Sequence, residues 1–155
     1  MFANPNTNHG PATIDDPEFG LLYNDMPWMS ESFSLRDSDP PAYLCLPGDE
    51  SGPSQYSREL IHQLRIRYGQ LTSEINRHLE QQSSCDDANT DTCPLEEISV
   101  GEDDDDFEIQ LGFLLPDQQT TCYLDFTNWR VANASVEQHV KTFAPQINRK
   151  WWQFW

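Results

Sequence analysis

The chain contains 155 residues, of which 37% are apolar, and its formal net charge at pH 7 is −17. This length fits one domain with tails, and the negative charge argues against direct binding of nucleic acid or of an anionic membrane surface. The acids are concentrated in residues 1–53 and 84–106, so the attraction we expect is to basic protein surfaces. No apolar run reaches the ~18 residues that a membrane span needs.

Residues 1–53 combine acids, prolines and bulky apolar side chains without a lasting apolar period, which predicts a largely irregular acidic arm, disordered or loosely docked. Between residues 14 and 35 the arm sets aromatic residues among acids. This composition resembles the acidic, aromatic-rich motifs of transcriptional activation domains, whose side chains insert into an apolar, basic-rimmed groove of a partner. The candidate partner-binding residues of the arm are Phe19, Leu22, Tyr23, Trp28 and Phe33. In the alternative interpretation these side chains fold back over the helix that follows.

Residues 55–82 form the only long segment with a helical period, and Pro53 and Ser54 before it are typical helix start signals. Its apolar residues recur every three or four positions and form a stripe: Ile61, Leu64, Tyr68, Leu71 and Ile75. The stripe fits either packing within the monomer or the seam of a parallel homodimer through 55–82. Glutamates interleave with the four arginines of this segment, so we expect no nucleic-acid surface here.

Residues 83–106 are polar and acidic, which predicts a solvated linker. Alternating apolar and polar residues in 107–126, with a turn at 115–119, predict an antiparallel β-hairpin. Ser135 followed three residues later by Gln138 matches a capping box and predicts a short helix through Ala144. The expected fold class is therefore α+β, with one domain over 54–155 that contains a long amphipathic helix, the hairpin and a short C-terminal helix.

Residues 148–155 hold four aromatic residues beside an arginine and a lysine. Tryptophan next to basic side chains is typical of a partner pocket or a membrane interface. Trp151, Trp152 and Trp155 are therefore further candidate partner-binding residues. Docking of this tail on the hairpin is the alternative.

The sequence shows no motif for catalysis, metal or cofactor. The four cysteines lack the paired C-x-x-C spacing of a zinc site, the four histidines are isolated, and the seven glycines are scattered. We therefore expect neither an enzyme nor a metal-binding or cofactor-binding protein. The polar start of the chain lacks the apolar region of a signal peptide, which predicts an intracellular location, cytoplasmic or nuclear.

These features predict a regulatory adaptor that binds a partner protein, one with a basic-rimmed apolar groove, through acidic and aromatic motifs. Such a role would suit transcriptional control or a viral accessory protein. One alternative is an acidic mimic of nucleic acid, whose carboxylates imitate phosphates and block a basic site. The other is a dimeric structural subunit that associates through the 55–82 helix.

Overall fold

The computed structural model describes residues 12–25 and 27–139, which form ten strands and one helix. The strands are β1 (Thr13–Asp16), β2 (Gly20–Asn24), β3 (Trp28–Phe33), β4 (Ala42–Leu46), β5 (Gly48–Asp49), β6 (Gly52–Pro53), β7 (Leu95–Val100), β8 (Ile109–Leu114), β9 (Thr120–Thr127) and β10 (Arg130–Gln138), and the helix is α1 (Gln55–Gln82). Eight strands form one sheet in the order β1-β2-β3-β4-β7-β8-β9-β10, and β5 pairs with β6.

Neighbouring strands of the large sheet are antiparallel except at its centre, where β4 and β7 are parallel with Leu44 opposite Ile98. Two parallel neighbours cannot be joined by a tight turn and need a long crossover connection. The crossover between β4 and β7 contains α1, which places the helix on one face of the sheet. The chain is therefore two antiparallel units, β1–β4 and β7–β10, joined at one parallel pair.

The predicted helix over 55–82 is confirmed. Ser54 is its N-cap, and the Ser54 side chain accepts a hydrogen bond from the Ser57 backbone N–H at 3.1 Å. The apolar stripe faces the sheet and is buried, as expected if the helix packs within the monomer. Dimerisation through 55–82 stays a prediction, and it would have to use the outer side of the helix, where Ile66 is 61% exposed.

A single core cluster lies between α1 and the sheet, and both halves of the chain contribute to it. Leu22, Trp28 and Leu44 come from the first unit, while Leu111 and Leu124 come from the second. The sheet and its core thus extend across residue 53, where the sequence predicted a boundary.

The predicted α+β fold class is wrong, because the described chain is mostly β, with one eight-stranded mixed sheet and one helix. Residues 13–53 form six strands instead of an irregular arm. Prolines in this part stand at strand ends and in connections, where a missing backbone N–H costs little. Pro17 follows β1, Pro27 precedes β3, and Pro41 precedes β4. The short alternating segments between these prolines are the strands.

The second half contains two further differences from the expected architecture. The segment Ser135–Gln138 belongs to β10 and not to a helix, because pairing with β9 overrides the local capping signal; residues 140–144 lie outside the described residues. The predicted linker contains β7, a central strand with Ile98 fully buried. The antiparallel pairing predicted for 107–126 is present as β8 with β9, inside the larger sheet.

A buried ion pair joins the edge strand β1 to the first turns of α1. Arg58 Nη2 lies 2.6 Å from Asp16 Oδ2, and the Asp16 side chain is only 3% exposed. Asp16 Oδ1 also accepts hydrogen bonds from the backbone N–H groups of Glu18 and Phe19, at 2.8 and 3.1 Å. Arg58 is the main cause of a pKa of Asp16 below its usual value, with the two backbone donors adding to it against the effect of burial.

We expect Asp16→Asn to lower the free energy of unfolding at pH 7 by about 2 kcal/mol, because it removes a buried, charge-assisted interaction. A lowered folded-state pKa means that this contribution is complete above the unfolded pKa of about 3.9 and is lost as the pH falls through the folded value. Urea unfolding at pH 7 and at lower pH measures both effects. The neighbouring exposed acid gives the control Asp15→Asn, and equal effects of the two substitutions would contradict the assigned role of the ion pair.

Candidate partner-binding face of the sheet

Four of the five predicted binding residues of the first segment lie in the core. Phe19, Leu22, Trp28 and Phe33 are each at most 5% exposed. The rings of Phe19 and Phe33 meet edge to face with centroids 5.9 Å apart, and the indole Nε1 of Trp28 donates to the carbonyl oxygen of Asp49 at 2.8 Å. These four side chains pack against the helix, as the alternative interpretation of this segment expects. A partner-binding role for them stays a prediction, and it would require the strands to leave the core.

Tyr23, the fifth predicted residue, lies on the opposite side of the sheet. Successive side chains of a strand point to opposite faces, and Leu22 is fully buried beneath α1, so Tyr23 points away from the helix. Trp151, Trp152 and Trp155 lie outside the described residues. The structure thus divides the five predicted residues of the first segment between the two faces of the sheet.

We use the term open face for the side of the sheet that points away from α1, which no other described helix covers. Strand alternation and pairing define it. Its main side chains are Leu21, Tyr23, Met29, Glu31, Tyr43, Cys45, Glu97, Ser99, Gln110, Tyr123 and Asp125.

The β2–β4 end of the open face is apolar. Leu21 is 63% exposed and Tyr43 is 49% exposed. Tyr23 lies directly opposite Met29, and both are half-buried. We call these four side chains the apolar patch. Of this patch, only Tyr23 is among the candidate binding residues predicted from the sequence. The available signal was the two-residue period, which puts Leu21 and Tyr23 on the face opposite to that of Leu22.

Carboxylates beside the apolar patch are held by tyrosine hydroxyl groups. The hydroxyl of Tyr23 donates to Glu31 Oε2 at 3.0 Å, and that of Tyr123 donates to Glu97 Oε2 at 3.1 Å. The Tyr123 ring covers Gly112, where an added Cβ would lie 3.0 Å from the ring. Partial burial is the main reason that the pKa of Glu97 is raised, and the Tyr123 hydrogen bond opposes the rise only in part. The same desolvation is the main cause of raised pKa values of Tyr23 and Tyr123.

The described arginines lie on the other side of the sheet. Six arginines are described: four belong to α1, and the other two contact it. Arg36 stacks over Tyr68 of the helix at 5.0 Å, and Arg130 lies 3.4 Å from Glu74 of the helix. Within the described residues, no arginine pairs with a carboxylate of the open face, and His139 is the basic side chain that acts on Glu97.

A second acidic surface is a groove of about 710 Å³ at one end of the sheet. It lies between the β4–β5 connection and the β7–β8 loop, and Tyr56 and Phe107 add aromatic surface to it. Its acidic lining residues are Asp49, Glu102, Asp103, Asp105, Asp106 and Glu108. The loop is held in a turn, since the backbone N–H of Glu102 donates to Asp105 Oδ2 at 2.8 Å. Such a groove can attract cationic groups.

The described residues contain no cluster of three or more histidine, cysteine or acidic side chains that could hold a metal ion. All four cysteines are free. Burial raises the pKa of Cys122 to about 11 and also raises the pKa values of Cys45 and Cys93. These thiols are protonated at neutral pH, which opposes their use as nucleophiles.

Comparison with protein-family models, with curated proteins and with solved structures found no match to this chain. No helix in the described part of the chain combines the length and the apolar character that a bilayer crossing requires.

Trp28→Ala tests whether the buried aromatics of the first segment serve the core. We expect it to lower the free energy of unfolding by about 3–5 kcal/mol, because it empties a fully packed position and removes the bond to Asp49. Chemical denaturation followed by circular dichroism gives the value. The exposed Leu21 supplies the control Leu21→Ala, which should change stability by less than about 0.5 kcal/mol. Equal stabilities of the two variants would show that Trp28 is not a core residue.

Glu97→Gln should stabilise the fold near pH 8, because it removes a carboxylate whose charge is costly to bury. A raised folded-state pKa means that this cost is present above the folded value and vanishes below the unfolded value of about 4.3. The gain over wild type should therefore shrink as the pH is lowered to about 4. The midpoints of urea unfolding across this pH range provide the measurement. Glu80→Gln, at an exposed position of α1, is the control. A gain that grows on acidification would contradict the assigned burial.

Proposed function

We propose that the protein is a non-enzymatic binding module whose open face takes a partner protein that presents apolar side chains rimmed by lysine and arginine. The confinement of the described arginines to the helix side of the sheet supports this proposal most strongly. The described arginines belong to α1 or contact it, and the open face combines exposed apolar side chains with carboxylates that no described arginine pairs.

The apolar patch has the composition of an interface centre. Tyrosine and methionine are enriched where proteins contact each other, and an exposed apolar cluster rimmed by polar residues is typical of a docking site. Tyr43 and Leu21 are accessible without any movement of the fold. A partner could therefore bury them without a rearrangement of the backbone.

Charge complementarity identifies the chemistry of the partner. Glu97 is partly buried, and burial raises its pKa more strongly than the Tyr123 hydroxyl and the nearby His139 lower it. A lysine or arginine of the partner would favour the charged carboxylate and lower that pKa. Glu31, on the neighbouring side of the patch, offers a second acceptor whose hydrogen bond comes only from the Tyr23 hydroxyl in the described structure.

The proposal keeps the adaptor role and the basic, apolar partner predicted from the sequence. It replaces the predicted contact surface, the aromatic side chains of the first segment and the C-terminal tail, with the open face of the sheet. Tyr23 is the one predicted residue of the first segment that lies on the proposed surface. A regulatory role inside the cell remains part of the proposal.

A second candidate function is the acidic mimic of nucleic acid, which the groove supports. Its carboxylates are held in a hydrogen-bonded turn, because Asp105 N–H donates to the Glu102 carbonyl oxygen at 2.9 Å and Glu102 N–H donates back to the Asp105 side chain. Ordered acids are what a phosphate mimic requires. The target would then be a basic nucleic-acid-binding site.

One binding experiment separates the two candidates. A protein captured on the full chain is purified, and its dissociation constant is measured by calorimetry against three variants. Leu21→Ser/Tyr43→Ser alters the open face. Ile66→Ser removes an equally exposed apolar side chain on the outer side of α1, away from both candidate surfaces, and is the matched control. Asp103→Asn/Asp104→Asn/Asp105→Asn/Asp106→Asn neutralises the acidic loop.

We expect the open-face variant to bind at least about tenfold more weakly, a loss of ~1.4 kcal/mol, while the other two stay within about threefold of wild type. A loss confined to the acidic-loop variant would favour the mimic. Unchanged binding of both the open-face and the acidic-loop variants would contradict both candidate functions.

A further inference from the structure

The outer edge of β10 is the longest unpaired strand edge in the described sheet. β10 has nine residues, most of them exposed, and contains no proline. The opposite edge strand, β1, has four residues, two of which are aspartates. Short, charged edges resist pairing with another chain, whereas a long edge with little charge offers a template for it.

The backbone of β10 offers its outward hydrogen-bonding groups at alternate residues. The His139 N–H donates to the carbonyl oxygen of Gln119, directly opposite in the register with β9. In an antiparallel pair, residues bonded to the neighbour alternate with residues whose groups point away from it. Ala134, Val136 and Gln138 therefore direct their N–H and C=O groups outward.

The side chains of this edge are self-complementary about Val136. Val136 is 47% exposed, although apolar. An antiparallel second copy centred there would place Val136 against Val136 of that copy, and Ser135 against the carboxylate of Glu137. In a chain of net charge −17, β10 carries one arginine and one glutamate, so two copies can approach here with little repulsion.

We infer that two copies of the chain pair antiparallel along β10 and form one continuous sheet of sixteen strands, twice the eight of one chain. This surface is separate from the apolar patch, since β10 lies four strand positions from β4, a distance of about 19 Å. The inference therefore stands or fails independently of the proposed function.

Sedimentation equilibrium of the full chain from about 1 to about 200 µM tests the pairing by mass action. Val136→Pro removes an outward N–H that β9 does not use, a position where an edge strand tolerates proline. Val136→Lys keeps the backbone and sets like charges across the twofold axis. Ile66→Lys places the same charge on the exposed side of α1 and is the control.

We expect wild type and Ile66→Lys to dimerise, and both Val136 variants to dimerise at least about tenfold more weakly. Hydrogen exchange of the amides of Ala134, Val136 and Gln138 should slow as the wild-type concentration rises. A wild type that stays monomeric over the whole range would overturn the inference. So would a dimer that persists in both Val136 variants, or one that only Ile66→Lys disrupts.

Discussion

The structure depends on one constraint: in the described chain a single helix must cover a sheet of eight strands. The helix can bury only one face, and its apolar stripe packs against alternate side chains from both antiparallel units. Leu22, Leu44 and Leu124 all belong to this one core although they lie far apart in sequence. The parallel pair of β4 and β7 makes this possible, because it joins the units beneath the helix. The second face is left without a helix.

The same constraint sets the distribution of charge. Four arginines stack over aromatic rings on the helix side, where their long side chains cover the rim of the core while the guanidinium groups stay hydrated. The pairs are Arg36 with Tyr68, Arg58 with Phe19, Arg65 with Phe33 and Arg67 with Trp129. Because the described arginines serve the core in this way, none of them pairs with a carboxylate of the open face or of the acidic groove.

Two buried carboxyl groups show the difference between the two sides. Asp16 lies under the helix, where Arg58 and two backbone N–H groups lower its pKa. Glu97 lies on the open face, where burial raises its pKa and its hydrogen-bond partner is the hydroxyl of Tyr123. The charge of Asp16 is therefore stabilised by an arginine within the chain, whereas the charge of Glu97 is disfavoured by its burial.

The sequence by itself determined the elements whose signals are long and local. These are α1, a helix of 28 residues with a regular apolar stripe and a serine cap, and the alternating strands β8 and β9. The sequence did not reveal most of the strands before residue 54, because they have two to six residues each and the prolines between them are typical of irregular chain. Nor did it reveal β7, which lies within an acidic segment, or β10, whose residues 135–138 match a helix capping box. The tertiary structure decided these, and decided which face Leu22 and Tyr23 each occupy, because a short strand is stabilised by its neighbours in the sheet and not by its own sequence.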